Sequence, residues 1–198
     1  KQASILKRGS FLAHLVLTAF AFTSMFVAYT YLADILQTLA SVPASQVAWV
    51  LMGFGIVGLF GNWLAGQYVD RNPMGATVVA LAALSIASFA TVALTDQGIL
   101  FLIPLAIWGA AQSAGFIGNQ LRVMKEAPEA QEFASALSVT IAQVGIGLGA
   151  LIGGKVIDAQ GLTALGSANA LIGLTGLAVA MLIAIGLRNL RGQPVPAE

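Results

Sequence analysis

The sequence has 198 residues, of which 58% are hydrophobic and only 9% are charged. A soluble domain carries about 25% charged residues, so this composition does not provide a water-facing surface. The net charge of +1 and the lack of cysteine argue against a nucleic-acid surface and exclude a disulfide framework and a cysteine metal site. The apolar residues form runs long enough, at about 20 residues, to cross a bilayer as helices.

Polar breaks divide the chain into six predicted transmembrane helices. Their approximate ranges are 10–33, 46–69, 75–95, 99–121, 133–157 and 162–187. These segments are about twice as long as a membrane β-strand and do not alternate apolar with polar residues. In lipid, a helix satisfies its own backbone hydrogen bonds. We therefore predict an all-α membrane protein with a polar loop at 34–45 and its most charged loop at 122–132.

The basic residues predict the orientation in the membrane. Eight of the nine Lys and Arg residues lie on the side of the N-terminus, and only Lys155 lies on the opposite side. By the positive-inside rule, both termini are cytoplasmic. We expect a cytoplasmic segment at 1–9, a transmembrane bundle at 10–187 and a disordered cytoplasmic tail at 188–198, in the inner (plasma) membrane of the cell.

One glycine pattern occurs twice, 88 residues apart. It begins at Gly61 and ends at Asp70 in the second span, and it begins at Gly149 and ends at Asp158 in the fifth. Because these two spans run in opposite directions, the two halves of the chain form inverted three-helix units. Inverted repeats of this kind are typical of transporters. A chance match between glycine-rich helices that end in Asp is the alternative.

Aromatic and amide side chains share predicted helix faces at bilayer depth. Polar groups at that depth usually face the bundle interior or a cavity. We predict that these faces line a substrate cavity near the midplane, and the alternative is interhelical packing without a ligand. The candidate substrate-binding residues are Phe22, Phe26, Tyr29, Thr30, Trp108, Gln112, Phe116 and Gln143.

A second set of candidates concerns helix packing and gating. Gly145, Gly149 and Gly153 are spaced four residues apart and form a smooth face that allows close helix contact. Asp70 is predicted at the cytoplasmic end of the second span, where it could dock on the positive N-terminus of the fifth span as a latch. The alternative is a helix-stop residue held at the interface.

His14 is the only histidine and lies in the first span. With an unperturbed pKa of about 6.5 it is a candidate proton carrier, although an interfacial role is the simpler interpretation. No Asp, Glu, Lys or Arg occupies the middle of a predicted span. We therefore expect ion coupling to reside mostly in a partner half. The sequence has no recognisable nucleophile with a base, metal cluster or carboxylate pair, so it predicts neither an enzyme nor a cofactor.

The loop after the second span resembles a motif of the major facilitator superfamily. Gly66, Asp70 and Arg71 match the pattern Gly-x-Leu-x-Asp-Arg-x-Gly-Arg-Arg, while Tyr68 and Pro73 depart from it and the basic pair is absent. The resemblance implies a gating role for the three matching residues. The glycines that begin at Gly145 are similar to the glycine-rich antiporter motif of the same superfamily, with Ala150 in place of Pro.

The whole chain resembles the C-terminal six helices of the twelve-helix drug- and sugar-efflux group. The similarity is carried by Phe26, Tyr29 and Tyr31, by Gly61 with Asn62, and by Gln120, Arg122, Ala127 and Pro128. The last two groups are similar to the arabinose-efflux-permease-like members. The resemblance implies proton-coupled export of a small solute such as a sugar, a nucleoside or a drug.

We therefore expect half of an alternating-access efflux transporter, with its site between this bundle and a second six-helix bundle. The second bundle is either an N-terminal half or another copy of the chain, and the remaining partners are the lipid bilayer and a small-molecule substrate, without nucleic acid. Two alternatives remain. One is a structural or regulatory membrane subunit that moves no substrate, and the other is a homo-oligomeric pore.

Overall fold

The computed structural model describes the backbone of residues 5–191 and the side chains of residues 5–186. Within this part, six long helices follow one another and there are no strands. They are α1 (Gly9–Tyr29), α2 (Ala44–Val69), α3 (Pro73–Ala93), α4 (Leu102–Lys125), α5 (Gln131–Gln160) and α6 (Ala164–Arg191). Each belongs to a helical segment long and apolar enough to cross a membrane. The predicted all-α, six-helix architecture is confirmed.

The segment after α1 differs from the predicted loop at 34–45. It forms a short helix at Leu32–Asp34 and a π-helix at Ile35–Leu39. Leu32, Ile35 and Leu36 are buried in the main core, and burial of three large apolar side chains stabilises helical turns that the neighbouring polar residues would not predict. The prediction of a loop over this segment was therefore wrong at its N-terminal half.

Local sequence explains where several helices begin and end. At the start of α3, the side chain of Asn72 accepts a hydrogen bond from the Gly75 N–H at 2.9 Å, and Pro73 occupies the first turn. Both features are typical of helix N-termini. At the end of α5, Gly161 adopts a positive φ of 84°, a conformation that glycine adopts without strain. Helix α6 continues to Arg191, and residues 192–198 of the predicted tail lie outside the described residues.

The contacts of α1 define the direction of its neighbours. Along α4, contacts run in reverse order, from His14 with Arg122 to Met25 with Gln112, so α1 and α4 are antiparallel. Along α5, contacts run in the same order, and Gly145 lies against Ala19 while Gly153 lies against Val27. Helices α1 and α5 are therefore parallel, and α5 ends at the side of the bundle opposite to the N-terminus of α1.

Equivalent contacts occur in the two halves of the chain. Gly61 of α2 packs on the backbone of Ala110 in α4, and Gly149 of α5 packs on the backbone of Thr23 in α1. Since α2 runs parallel to α4 and α5 runs parallel to α1, Asp70 and Asp158 lie at opposite ends of the bundle. This arrangement has the helix directions that an inverted three-helix repeat requires.

Candidate functional site

Aromatic side chains connect α1, α2 and α4 in a continuous row. The ring centroids of Phe26 and Tyr29 are 5.4 Å apart, those of Tyr29 and Phe54 are 5.6 Å apart, and those of Phe54 and Trp108 are 5.9 Å apart. Three of these four residues were predicted from sequence. Phe54 was not, because its position in the glycine-rich part of α2 gives no sign that its ring faces Trp108. Edge-to-face geometry dominates the row, and such pairs fix ring orientation.

A separate aromatic pair lies closer to the N-terminal end of α1. The rings of Phe22 and Phe116 meet edge to face, with centroids 4.8 Å apart. Phe22 is buried, whereas the ring of Phe116 is 49% exposed. The pair therefore has an inner member that packs the bundle and an outer member whose ring is available for contact.

Two of the buried polar atoms of α4 that lack a hydrogen-bond partner lie behind the aromatic row. The amide nitrogen of Gln112 donates to the carbonyl oxygen of Met25 at 3.3 Å. The Gln112 Oε1 atom and the Trp108 Nε1 atom are both buried and unpaired among the described residues. They lie one helical turn apart and supply one acceptor and one donor. Buried polar groups are usually satisfied, so these two add hydrogen-bonding capacity behind the aromatic row.

The predicted substrate-binding residues differ in their accessibility. Phe22, Trp108 and Gln112 are buried, and Phe26 is half-buried. Tyr29, Thr30, Phe116 and Gln143 are exposed. The hydroxyl of Thr30 donates to the Phe26 carbonyl within its own helix. Gln143 lies on α5, and it takes part in neither the ring contacts nor the side-chain hydrogen bonds of the described residues.

The glycine face of α5 lies directly on the backbone of α1. A Cβ atom added at Gly145 or Gly149 would lie 2.9 or 2.7 Å from a carbonyl oxygen of α1, and one added at Gly153 would overlap the Val27 carbonyl. Tyr31 completes this contact by donating from its hydroxyl to the Ala150 carbonyl at 2.8 Å. Only glycine allows two helices to approach this closely, so the three glycines hold α1 and α5 together.

A buried polar cluster at the other end of α1 was not predicted. Sequence analysis placed Arg122 in a charged loop, but α4 continues through Lys125 and leaves Arg122 only 1% exposed. Its guanidinium donates to the ring of His14 at 2.8 Å, to the backbone carbonyl of His14 at 3.2 Å and to the hydroxyl of Thr18 at 3.3 Å. It also donates to the side-chain oxygen of Asn119 at 2.5 Å. The loop assignment was wrong because four acceptors on α1 and α4 compensate the desolvation of the guanidinium.

His14 stands between a cation and an anion in this cluster. Its Nδ1 atom faces Arg122, and its Nε2 atom lies 3.4 Å from the Oε1 atom of Glu126. A guanidinium has only donors, so Nδ1 accepts and the proton of the neutral ring resides on Nε2, which forms no hydrogen bond among the described residues. Helical spacing in the sequence could have revealed this cluster. His14 and Thr18 lie one turn apart on α1, and Asn119 and Arg122 lie one turn apart on α4.

The three candidate gating residues, Gly66, Asp70 and Arg71, lie at the end of α2 and in the turn after it, where they are exposed. Lys125 of α4 donates to the backbone carbonyl of Asp70 at 2.5 Å, and its ammonium lies 3.5 Å from the carboxylate of Asp70. Asp70 thus pairs with the C-terminal end of α4, and not with the N-terminus of α5 as the latch hypothesis expected. A Cβ atom added at Gly66 would meet nothing within 4 Å.

Metal binding has no support in the part of the chain that the structure describes. No group of three or more His, Cys, Asp or Glu residues in residues 5–186 is placed to hold a metal ion. The aromatic row consists instead of aromatic rings with neighbouring amide and indole groups. Such an arrangement can bind and orient a solute.

Comparison with known proteins extends these observations. A family model described as Major Facilitator Superfamily matches residues 2–150. The chain is 27% identical over 180 residues to a probable sugar efflux transporter of Pasteurella multocida, which covers 91% of this chain. It is 32% identical over 159 residues to the inner membrane transport protein YdhP of Escherichia coli O157:H7, which covers 80% of this chain. It is 33% identical over 171 residues to a chloramphenicol efflux pump of Mycobacterium tuberculosis, which covers 83% of this chain.

Each match covers only part of the relative's own length. The aligned regions cover 45%, 41% and 41% of the three relatives. The chain therefore spans less than half the length of the curated relatives it matches.

Proposed function

The chain belongs to the Major Facilitator Superfamily, and on that premise we propose that it forms one half of an alternating-access transporter that exports a small solute. The other half is a second six-helix bundle, either an N-terminal half or another copy. Support comes from the relatives, whose names include two efflux proteins and of which the chain covers less than half. In folds of this kind, the substrate site lies near the midplane between repeats.

The observation that carries the proposal is the uncharged aromatic and amide surface of α1 and α4. Tyr29 and Phe116 present exposed rings, while Trp108 and Gln112 add a donor and an acceptor behind them. Such a surface suits a neutral solute with apolar faces and a few hydroxyl or amide groups. Stacking on rings and a few placed hydrogen bonds are the usual means of binding such molecules. Sugars, nucleosides and uncharged drugs share this chemistry.

We assign ion coupling, by protons, mostly to the other half. In this chain, Arg122 already donates to four acceptors, and His14 is held between Arg122 and Glu126. The cluster lies near the end of α4, away from the aromatic row. These contacts favour a structural role for the cluster in this half. The excess of Lys and Arg on one side supports an orientation with both termini in the cytoplasm.

The gating motif acts in this proposal through Asp70 and Lys125. Their contact ties the end of α2 to the end of α4 at the surface of the bundle. An exposed ion pair contributes little to stability, so it can break and re-form during transport. Arg71 lies beside this pair and is exposed.

The test is export of neutral probes by the full protein that contains this chain. Cells that express it are loaded with radiolabelled chloramphenicol or a radiolabelled disaccharide, and efflux is followed with time. We expect Phe116→Ala to slow efflux of the exported probe about fivefold, because an aromatic contact is worth about 1 kcal/mol. Phe89→Ala is the matched control, since both rings are 49% exposed and Phe89 lies on α3.

Two results would contradict the proposal. One is equal efflux of both probes from cells with and without the unchanged protein. The other is an equal effect of Phe116→Ala and Phe89→Ala at matched expression, which would remove the α1–α4 surface from the binding site. Uptake by the unchanged protein, in place of export, would reverse the proposed direction.

A further inference from the structure

A lateral groove opens between α2 and α3 above α4. Its volume is about 580 Å³. The floor and walls consist mainly of small apolar side chains, among them Ala76, Ala80, Ala110 and Ala114. A bound water needs two to four polar partners, and this lining offers almost none. In a membrane the groove is therefore filled by an apolar group.

The length of the groove matches one acyl chain. The groove follows α2 and the turn after it from Gly61 to Arg71, which corresponds to about 15 Å at the helical rise. This is about half of the roughly 30 Å hydrocarbon thickness of a bilayer, the depth that one acyl chain spans.

One end of the groove is polar and basic. Tyr68, Arg71 and Asn72 line it where α2 turns into α3. The acidic neighbour of Arg71 is Asp70, whose carboxylate lies 3.5 Å from the ammonium of Lys125. Arg71 forms no ion pair among the described residues, so its positive charge stands at the end of an apolar channel. This combination complements a molecule with a hydrocarbon tail and an anionic head.

We propose that this groove binds one anionic glycerophospholipid, with an acyl chain between α2 and α3 and its phosphate on Arg71. Guanidinium groups bind phosphate oxygens in a bidentate manner, and a basic side chain near the membrane surface favours anionic lipid. The lipid lies on the outer side of the contact between α2 and α4. It is distinct from the transported solute, and the inference does not depend on the proposed direction or substrate of transport.

The first test measures the lipid that the purified full protein retains. The protein is equilibrated with equal amounts of phosphatidylglycerol and phosphatidylethanolamine and analysed by native mass spectrometry. We expect one tightly retained phosphatidylglycerol. Arg71→Gln lowers the preference for phosphatidylglycerol about fivefold, as expected for one basic residue.

A pair of variants on α3 tests the hydrocarbon part of the site. Val79 and Ile86 are 68% and 70% exposed, but only Val79 lines the groove. We expect Val79→Trp to displace the retained lipid and Ile86→Trp to leave it in place. The proposal would be overturned if Val79→Trp, Ile86→Trp and Arg71→Gln all retained as much phosphatidylglycerol as the unchanged protein. A mass that corresponds to a second protein chain in place of lipid would overturn it as well.

A cross-linking measurement keeps the proposal testable if Val79→Trp does not fold. Phosphatidylglycerol with a photoreactive group in one acyl chain is added to the unchanged protein, and the adducts are mapped by peptide sequencing. We expect adducts on the groove residues of α3 and α4, such as Val79 and Ile107. An even distribution over all exposed apolar faces would show ordinary annular lipid and contradict a specific site.

Discussion

The guanidinium of Arg122 lies 2.8 Å from the Nδ1 atom of His14 and joins α4 to α1 inside the bundle. Both residues are almost completely buried. In a low-dielectric interior, removing one acceptor of a buried guanidinium costs more free energy than the net stabilisation that the hydrogen bond gave. The pair is therefore expected to be strongly coupled in energy.

A double-mutant cycle measures that coupling. We expect Arg122→Met and His14→Phe to be non-additive, with a coupling free energy of about 1–3 kcal/mol in the unfolding of the purified protein by detergent titration. The exposed ion pair of Arg8 and Glu129, 2.6 Å apart, is the control. Its coupling should stay below about 1 kcal/mol. Equal coupling in the two pairs would mean that burial of Arg122 has no energetic consequence.

The glycine contact of α5 gives a second prediction. Gly149→Ala would place a methyl group 2.7 Å from the Thr23 carbonyl, whereas Gly147→Ala would meet nothing within 4 Å. We expect Gly149→Ala to lower the free energy of unfolding by about 1–3 kcal/mol. Gly147→Ala should leave it unchanged or raise it by up to about 1 kcal/mol, because alanine favours the helix. Thermal unfolding of both variants, at equal detergent concentration, makes the comparison.

A third prediction separates gating from stability at the end of α2. We expect Asp70→Asn and Lys125→Gln each to slow solute efflux while changing the unfolding free energy by less than about 1 kcal/mol. The double variant should be no slower than either single variant, since both remove one contact. Normal efflux kinetics in Asp70→Asn at normal expression would contradict a gating role for the contact between Asp70 and Lys125.

Gly66 and Gly61 provide the fourth prediction, because they differ in their surroundings within one helix. Space beside Gly66 is open, whereas a Cβ atom at Gly61 would overlap the backbone of Ala110. We expect Gly61→Ala to lower the melting temperature and Gly66→Ala to leave it unchanged. If Gly66→Ala slows efflux without changing the melting temperature, the glycine of the motif is needed in a different conformation of the transporter. Equal melting temperatures for all three proteins would contradict the close contact at Gly61.

Composition and hydropathy were sufficient to predict the six helices, because each helix that crosses the hydrocarbon core needs a run of about 20 mostly apolar residues. The inverted repeat was visible from Gly61 and Gly149 because close helix contacts depend on residue size. Arg122 was misplaced for a physical reason. A charge at the end of an apolar run normally marks a loop, and only the positions of His14, Thr18 and Asn119 in space make its burial favourable.

The candidate solute site was only partly predictable. Helical spacing groups Trp108 with Gln112 on one face, but it gives no information on depth, and both are buried while Phe116 is exposed. The contribution of Phe54 depends on the crossing of α2 with α4, which hydropathy does not encode. The pairing of Asp70 with Lys125 depends likewise on α2 and α4 ending at the same level.

Carbonyl oxygens of α1 lie against the three glycines of α5, and the side chains of Phe22, Phe26 and Tyr31 flank the contact. Because the two main chains are in close contact over more than two helical turns, we expect α1 and α5 to move as one unit. If this half tilts as a solute crosses, α1 and α5 must swing together, and the hinge has to be located at contacts that involve other helices.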